Sequence, residues 1–220
     1  MRLNKYLAHA TGMSRREADS LITAGRVTIN GAKALLGAQV EDADKVAVDH
    51  KVITSPSERV YLLLNKPVGY LCSRRSQGGV PTIFTLLPKE FQALKPVGRL
   101  DKDSSGLILL TSDGDFAHRM THPSFHKVKI YEVELDKPLQ PLHQQMISDY
   151  GVNLEDGVSK FLIERDDKGY KVTMHEGRNR QIRRTFAALG YTVTKLHRTN
   201  FGNYSLGDIK TGEYALVDIR

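Results

Sequence analysis

The sequence predicts an α+β protein in two parts, a small module over residues 1–50 and a strand-rich domain over residues 59–220. Three observations carry this. Two short helical patterns followed by a hairpin signal fill the first 50 residues, strand-length apolar runs recur beyond residue 59, and KVITSPSE at 51–58 has Ser, Pro and Ser without helical period. That last stretch reads as a linker about which the small module moves. The chain's 220 residues, 40% of them hydrophobic, suffice for one or two cores.

In the small module Leu3, Tyr6, Leu7 and His9 or Ala10 stand at helical spacing, and Gly12 ends the turn. A second helix starts at Ser14, with Glu17 three residues on as a capping box, and stops near Ala24 and Gly25. RVTIN and AKALL then flank Asn30-Gly31, the strongest short hairpin signal.

The larger domain opens with VYLLLNKP, a buried strand ended by Pro67, and GYLCSR continues as a second strand. Gln77 to Pro81 has turn composition, Thr82 to Leu87 is a short helical or irregular piece, and LKPVGRL leads to a buried strand over Gly106 to Leu110. Asp113 caps a helix over DGDFAHRM that ends near Pro123. KVKIYEVEL alternates as a strand, with Lys129, Tyr131, Val133 and Leu135 on one side, so Tyr131 shares a face with two apolar residues and points inward. PLHQQMISDYG reads as a helix, and FLIERDDKGYKVTMHEG as a hairpin turning at Asp166 to Gly169. Gly177 introduces a helix over RNRQIRRTFAALG that Gly190 closes, with Ile182, Phe186 and Leu189 as its apolar stripe and Arg180, Arg183 and Arg184 on a neighbouring face. TVTKLHRTNFG gives a further strand, and YSLGDIKTGEYALVDI closes the domain.

No apolar run approaches the ~18 residues of a membrane span, and MRLNKYLAHATG lacks the uncharged core of a signal peptide. The protein is therefore expected to be soluble and cytoplasmic, with no membrane partner. The single cysteine, Cys72, excludes an intramolecular disulfide and a cysteine-based zinc site. A net charge of +7 and a pI near 9.4 favour a polyanionic partner. The charge is concentrated: residues 1–40 carry a net +4 and residues 171–200 a net +6, two patches suited to a long anion held at two places.

VGRLDKDSSGLILLTS at 97–112 organises the chain. Arg99, Asp101, Lys102 and Asp103 crowd the loop before its apolar strand, and polar groups gathered where a strand begins belong to a site held by a rigid element. Asp101 is taken as its centre. Asp101 with Asp103, and Asp113 with Asp115, repeat a two-residue spacing, but no His or Glu at a matching ligand spacing joins them, so no metal site is expected. Asp103, with Ser104 and Ser105, is expected to fix the turn. No acid on the arginine-rich helix offsets its like charges, so anions from elsewhere are expected there.

GRLDKDSSGL resembles the catalytic loop of the RsuA-type pseudouridine synthases, which modify bacterial ribosomal RNA. NKPVGYLCS, KIYEVEL and EGRNRQIRRTFAALGY are similar to further segments of that family, and the amino-terminal module looks like an S4 RNA-binding domain. The resemblance implies an S4-like αα-hairpin followed by a mixed, largely antiparallel sheet. It implies a ribosomal RNA stem-loop or assembly intermediate as partner, no cofactor, and action as a monomer. In that family Asp101 would attack a flipped uridine, Arg183 would pair with Asp101, and Tyr131 would pack on the target base and handle a proton. Arg99 would fill the gap left by the base, and Ile182 and Leu196 would wall it. Arg180 and Arg184 would take RNA phosphates at a helix start, while Arg2, Lys5, Arg15, Arg16 and Arg26 would face RNA from the small module. GRLDKDSSGLI and NRQIRR with KLHRT look closer to members acting on large-subunit RNA than to the small-subunit enzyme.

That reaction breaks the bond between C1′ and N1, turns the uracil, and joins C5 to C1′. One carboxylate suffices, either as a nucleophile or by removing the C2′ proton, and a nearby cation would keep it ionised. Two rival classes are an RNA-binding or ribosome-assembly factor without activity, and a metal-dependent nuclease built on the Asp pairs. The intact GRLD, Tyr131 and QIR set disfavours the first, and chelation would reveal the second.

Overall fold

The structure, a computed structural model, describes residues 1–54, 59–167 and 169–218. The small module begins with α1 (Leu3–Thr11) and α2 (Arg15–Thr23). Gly12, at φ 77°, turns the chain left-handed and stops α1. At the start of α2 the Glu17 N–H donates to Ser14 Oγ at 3.1 Å, and the Ser14 N–H donates to the Glu17 carboxylate at 2.7 Å. Strands β1 (Val27–Ile29), β2 (Ala32–Lys33), β3 (Val46–Val48) and β4 (Lys51–Val52) form an antiparallel sheet in the order β2-β1-β3-β4. Asn30 and Gly31, at φ 51° and 84°, make the tight turn between β1 and β2. Leu3, Leu7, Ala18, Ile22, Val27 and Val46 bury the module's own core.

Strand β4 corrects the linker assignment at its start. Lys51 and Val52 pair with Val48 and Ala47, and the Ile53 N–H donates to the Val46 carbonyl at 2.8 Å. Three residues are too few for alternation to show in sequence. Residues 55–58 of the expected linker, Lys168 of the expected turn and Ile219 lie outside the described residues. The small module touches the rest through Lys5, 2.6 Å from Asp115, and through Lys95 Nζ, which donates to the Ala8 carbonyl at 3.3 Å.

The larger domain contains β5 (Tyr61–Lys66), β6 (Lys95–Val97), β7 (Ser105–Thr111), α3 (Gly114–Thr121) and β8 (Lys129–Leu135). After α4 (Pro141–Gln145) and one π-helical turn comes a separate hairpin of β9 (Val152–Leu154) and β10 (Gly157–Ser159). Then follow β11 (Leu162–Asp166), β12 (Gly169–Met174), α5 (Gln181–Ala188), β13 (Val193–Phe201), β14 (Tyr204–Ser205) and β15 (Tyr214–Leu216). The main sheet runs β11-β12-β8-β13-β7-β5-β15, with β14 on β13 and β6 on β7. It is mixed and largely antiparallel, as the family resemblance implies, because among the described strands only β13 and β7 pair in parallel.

Strand β7 is apolar from Gly106 to Leu110 because it is covered on both faces. Ile108 and Leu110 pack with Ile83, Phe84 and Leu87 on one side, and Leu107 and Leu109 pack with Phe116 and Met120 of α3 on the other. A third cluster, including Tyr131, Val172, Ile182, Phe186 and Leu196, fills the space between α5 and the other half of the sheet. The parallel junction sets Gly106 beside Arg198, at φ 103°, where an added Cβ would lie 2.2 Å from the Arg198 carbonyl oxygen. Only glycine fits there.

Two element assignments need correction. GYLCSR is not a strand: Leu71 makes a single bridge to Thr82, and the segment otherwise bends along the end of the sheet. Helix α5 starts at Gln181, and Arg180 is its left-handed cap residue at φ 46°. The residues from Gly177 to Arg180 form the turn before it, for which the run of arginines gives no signal.

Candidate active site

Asp101 lies in the loop joining β6 to β7, and a buried cation underneath shapes that loop. Lys66, the last residue of β5 and fully buried, donates from Nζ to the carbonyls of Pro67 at 3.0 Å, Asp101 at 3.1 Å and Ser104 at 2.6 Å. Burial lowers the pKa of this ammonium, and the negative charges of Asp101 and Asp103 oppose that shift. The turn itself is closed by the Ser104 N–H, which donates to the Asp101 carbonyl at 3.1 Å, and the Leu100 N–H rests on Cys72 Sγ at 3.4 Å. The backbone of Asp101 is thus tied from two sides while its side chain stays 23% exposed.

That side chain lines a cleft of about 510 Å³ between α5, β8, β13 and the loop. Tyr131 of β8, Ile182 of α5 and Leu196 of β13, all buried, line it too, as do Arg99 and Arg180 at its exposed rim. The structure therefore brings together six of the expected site residues. Arg183 and Arg184 stand outside this lining.

The expected pairing of Arg183 with Asp101 is corrected. Arg183 donates to the backbone carbonyls of Asp103 and Val193, each at 2.8 Å, and its Nε lies 3.3 Å from the Asp103 carboxylate. Burial lowers the pKa of this guanidinium, and Asp103 offsets part of that. Arg180 grips Asp103 with two parallel bonds of 2.9 and 2.8 Å, and the same guanidinium lies 3.8 Å from the Asp101 carboxylate. Asp103, assigned to the turn from sequence, is thus the anion that holds the arginines. The Arg180 bond keeps its carboxyl below the usual aspartate range.

Arg184 also has a protein partner where a phosphate was expected. It meets the Asp156 carboxylate at 3.0 and 2.7 Å, and Arg178 reaches the same carboxylate at 2.9 Å. Asp113 serves as the expected cap, accepting from the Asp115 and Phe116 N–H groups at 2.9 and 3.0 Å, and it binds Arg59 at 2.9 Å as well. In the small module Arg2, Lys5 and Arg15 surround a shallow hollow beside Met1, and Arg16 is exposed. Arg15 donates to Asn4 at 3.3 Å, and Arg26 is ion-paired with Asp49.

Sequence reasoning missed Lys66, Lys129 and Arg198. Lys66 could have been found as a charge ending an apolar run. Arg198 stands two residues beyond Leu196 and so shares its face of β13, with Tyr131 as its register partner on β8. Lys129 lines the cleft, and burial lowers its pKa, helped by Arg198.

The family model described as RNA pseudouridylate synthase matches residues 60–188, which include Asp101, Tyr131 and Ile182 of this cleft. The chain belongs to that family. A second model, the S4 domain, matches residues 1–46 of this pseudouridine synthase. The synthase is 38% identical over 221 residues to "Ribosomal small subunit pseudouridine synthase A" of Pasteurella multocida, covering 97% of this chain and 94% of that one. It is 36% identical over 221 residues to "Ribosomal large subunit pseudouridine synthase B" of Bacillus subtilis, covering 96% and 90%. A solved "Crystal structure of pseudouridylate synthase" superposes with a TM-score of 0.70 at 33% identity, covering 99% of this synthase and 96% of that chain. Among the described residues no helix is long and apolar enough to cross a membrane.

Proposed function

We propose that this synthase isomerises a uridine of ribosomal RNA and that Asp101 is the group that acts on it. The observation that carries the reading is the placement of a partly exposed carboxylate, tied down through its backbone, in a cleft walled by Tyr131, Ile182 and Leu196. A base turned out of its helix would stack between such walls. Exposed Arg99 at the rim suits a flanking phosphate. Asp101 either adds to the nucleoside or takes the C2′ proton, C1′ and N1 separate, and the turned uracil bonds through C5. The Arg180 guanidinium stands 3.8 Å from this carboxylate, and Arg183 acts at one remove by holding Asp103. Tyr131 supplies a flat face and a hydroxyl beside the base.

The small module's Arg2, Lys5, Arg15 and Arg16 extend the cationic surface that meets the RNA, and the protein works as a monomer in the cytoplasm. Among ribosomal RNAs the large-subunit one is our reading, from the likeness of GRLDKDSSGLI and NRQIRR with KLHRT to members acting there. Relatives at 38% and 36% identity carry small-subunit and large-subunit names respectively, so both RNAs must be mapped. Pseudouridines are mapped in both from cells with the gene, without it, and with Asp101→Asn. One site lost in the second and third strains is expected; a site retained with Asp101→Asn defeats the assignment.

A further inference from the structure

Arg198 has no part in the reaction described above, yet it lines the same cleft and is only 2% exposed. Its Nε donates to the Leu107 carbonyl at 2.8 Å and its guanidinium lies 4.8 Å from the Phe201 ring centroid, so the side chain is held from two sides. Its Nη2 is buried without a hydrogen-bond partner, and among the described residues no carboxylate forms an ion pair with Arg198. Ser104 Oγ and Arg178 Nε, on two further residues lining the cleft, are buried and unpartnered as well. Folded proteins rarely leave such groups unsatisfied, and several around one cleft point to a polar ligand that completes them.

We infer that Arg198 Nη2 donates to a carbonyl oxygen of the everted uracil, O2 or O4, and holds the negative charge that gathers there as the glycosidic bond breaks. The inference rests on the uridine reading given above. When C1′ and N1 part, the bond's electron pair leaves with the uracil and spreads over N1, O2 and O4. The pair bound to C1′ in the product is supplied by C5; C5 then loses a proton and N1 gains one, so no atom or electron is added overall. A donor fixed before the reaction and shielded from water stabilises such charge without having to reorganise. A phosphate is the less fitting ligand for Arg198, because it keeps much of its hydration and the rim already offers it the exposed Arg99. Position agrees: Arg198 is in register with Tyr131 and on the face of Leu196, the two residues proposed to enclose the base.

The experiment measures single-turnover conversion, with release of the C1′–N1 bond as the readout. Its substrates are a ribosomal RNA fragment bearing the mapped uridine and the same fragment with 2-thiouridine or 4-thiouridine at that position. Sulfur is a poor hydrogen-bond acceptor. Wild type is expected to lose about tenfold or more on one thio RNA relative to uridine, and Arg198→Met to lose about 100-fold on uridine with no further loss on that thio RNA. Arg198→Lys should recover part of the rate, and RNA affinity should stay within about twofold throughout. If Arg198→Met fails to fold, the thio effect of wild type still decides. Equal losses on all three RNAs, or weakened affinity with a shallower salt dependence, would overturn the inference and indicate a structural or phosphate role. Wild type that converts uridine without a thio effect sinks the role of Arg198 alone, whereas wild type inert on uridine sinks the uridine reading itself.

Discussion

Replacing Lys66 with methionine tests whether the loop that carries Asp101 is positioned from beneath. Methionine keeps most of the buried volume but removes three bonds, to carbonyls at 3.0, 3.1 and 2.6 Å. A hydrogen bond to a charged group contributes about 1.5–3 kcal/mol net, whereas burying an ammonium costs several kcal/mol. The two nearly cancel, so global stability should fall by only about 2 kcal/mol, a drop in Tm of about 4–8 °C for a chain of this size. Activity should fall much further. With no cation between them the Asp101 and Ser104 carbonyls repel, the turn opens, and a displacement of about 1 Å at a reacting group costs on the order of 100-fold in rate. Single-turnover pseudouridine formation and a thermal melt on the same sample separate the two effects. A variant that melts a few degrees lower yet reacts at the wild-type rate would refute the positioning role of Lys66.

Gly106→Ala forces a Cβ to 2.2 Å from the Arg198 carbonyl oxygen, so β7 and β13 must separate; a loss of at least about 3 kcal/mol in a denaturant melt is expected. Asp103 has a folded pKa below its unfolded value, chiefly through Arg180, so its stabilising effect is present above the unfolded aspartate pKa and is lost as pH falls through the folded one. Melting temperature followed from pH 6 downward should therefore drop less steeply in Asp103→Asn than in wild type; parallel curves would remove Asp103 from the acid response. Arg15→Gln should reduce the slope of log affinity against log salt for ribosomal RNA by about 0.7–0.9 and leave the saturated single-turnover rate unchanged, because Arg15 does not line the cleft and can lose at most one phosphate contact.

Local chemistry made most elements legible. The Ser14 and Glu17 side chains, Asn30-Gly31, and the unbroken apolar run of β7 each report a constraint that acts within a few residues, and the structure satisfies each one. What stayed hidden depends on distant partners. GYLCSR has the composition of a strand, but only Leu71 finds a neighbour, since sheet membership is decided by the backbone alongside. Arg180 looks helical beside Gln181 and Ile182, yet it takes a left-handed turn and its guanidinium meets Asp103 in the loop before β7, 77 residues away in sequence. For the site, Asp101, Tyr131, Ile182 and Leu196 could be brought together from motifs, whereas Lys66 and Arg198 could not, because a buried cation looks like a surface one until its surroundings are known.

The exchange of Asp103 for Asp101 as the partner of Arg183 has a chemical consequence for the proposed reaction. A carboxylate gripped by a bidentate arginine is a poor nucleophile and a poor base, because its lone pairs are already engaged. Two such bonds fall on Asp103, leaving Asp101 with a guanidinium at 3.8 Å, beyond hydrogen-bonding distance. Asp103 also ties α5 to the loop, since Arg180 and Arg183 both reach it, so the helix that supplies Ile182 is linked directly to the loop that supplies Asp101. The pair of aspartates two residues apart therefore divides one task. Asp103 takes the arginines and fixes the geometry, and among the described residues no hydrogen bond engages the Asp101 carboxylate, which lines the cleft.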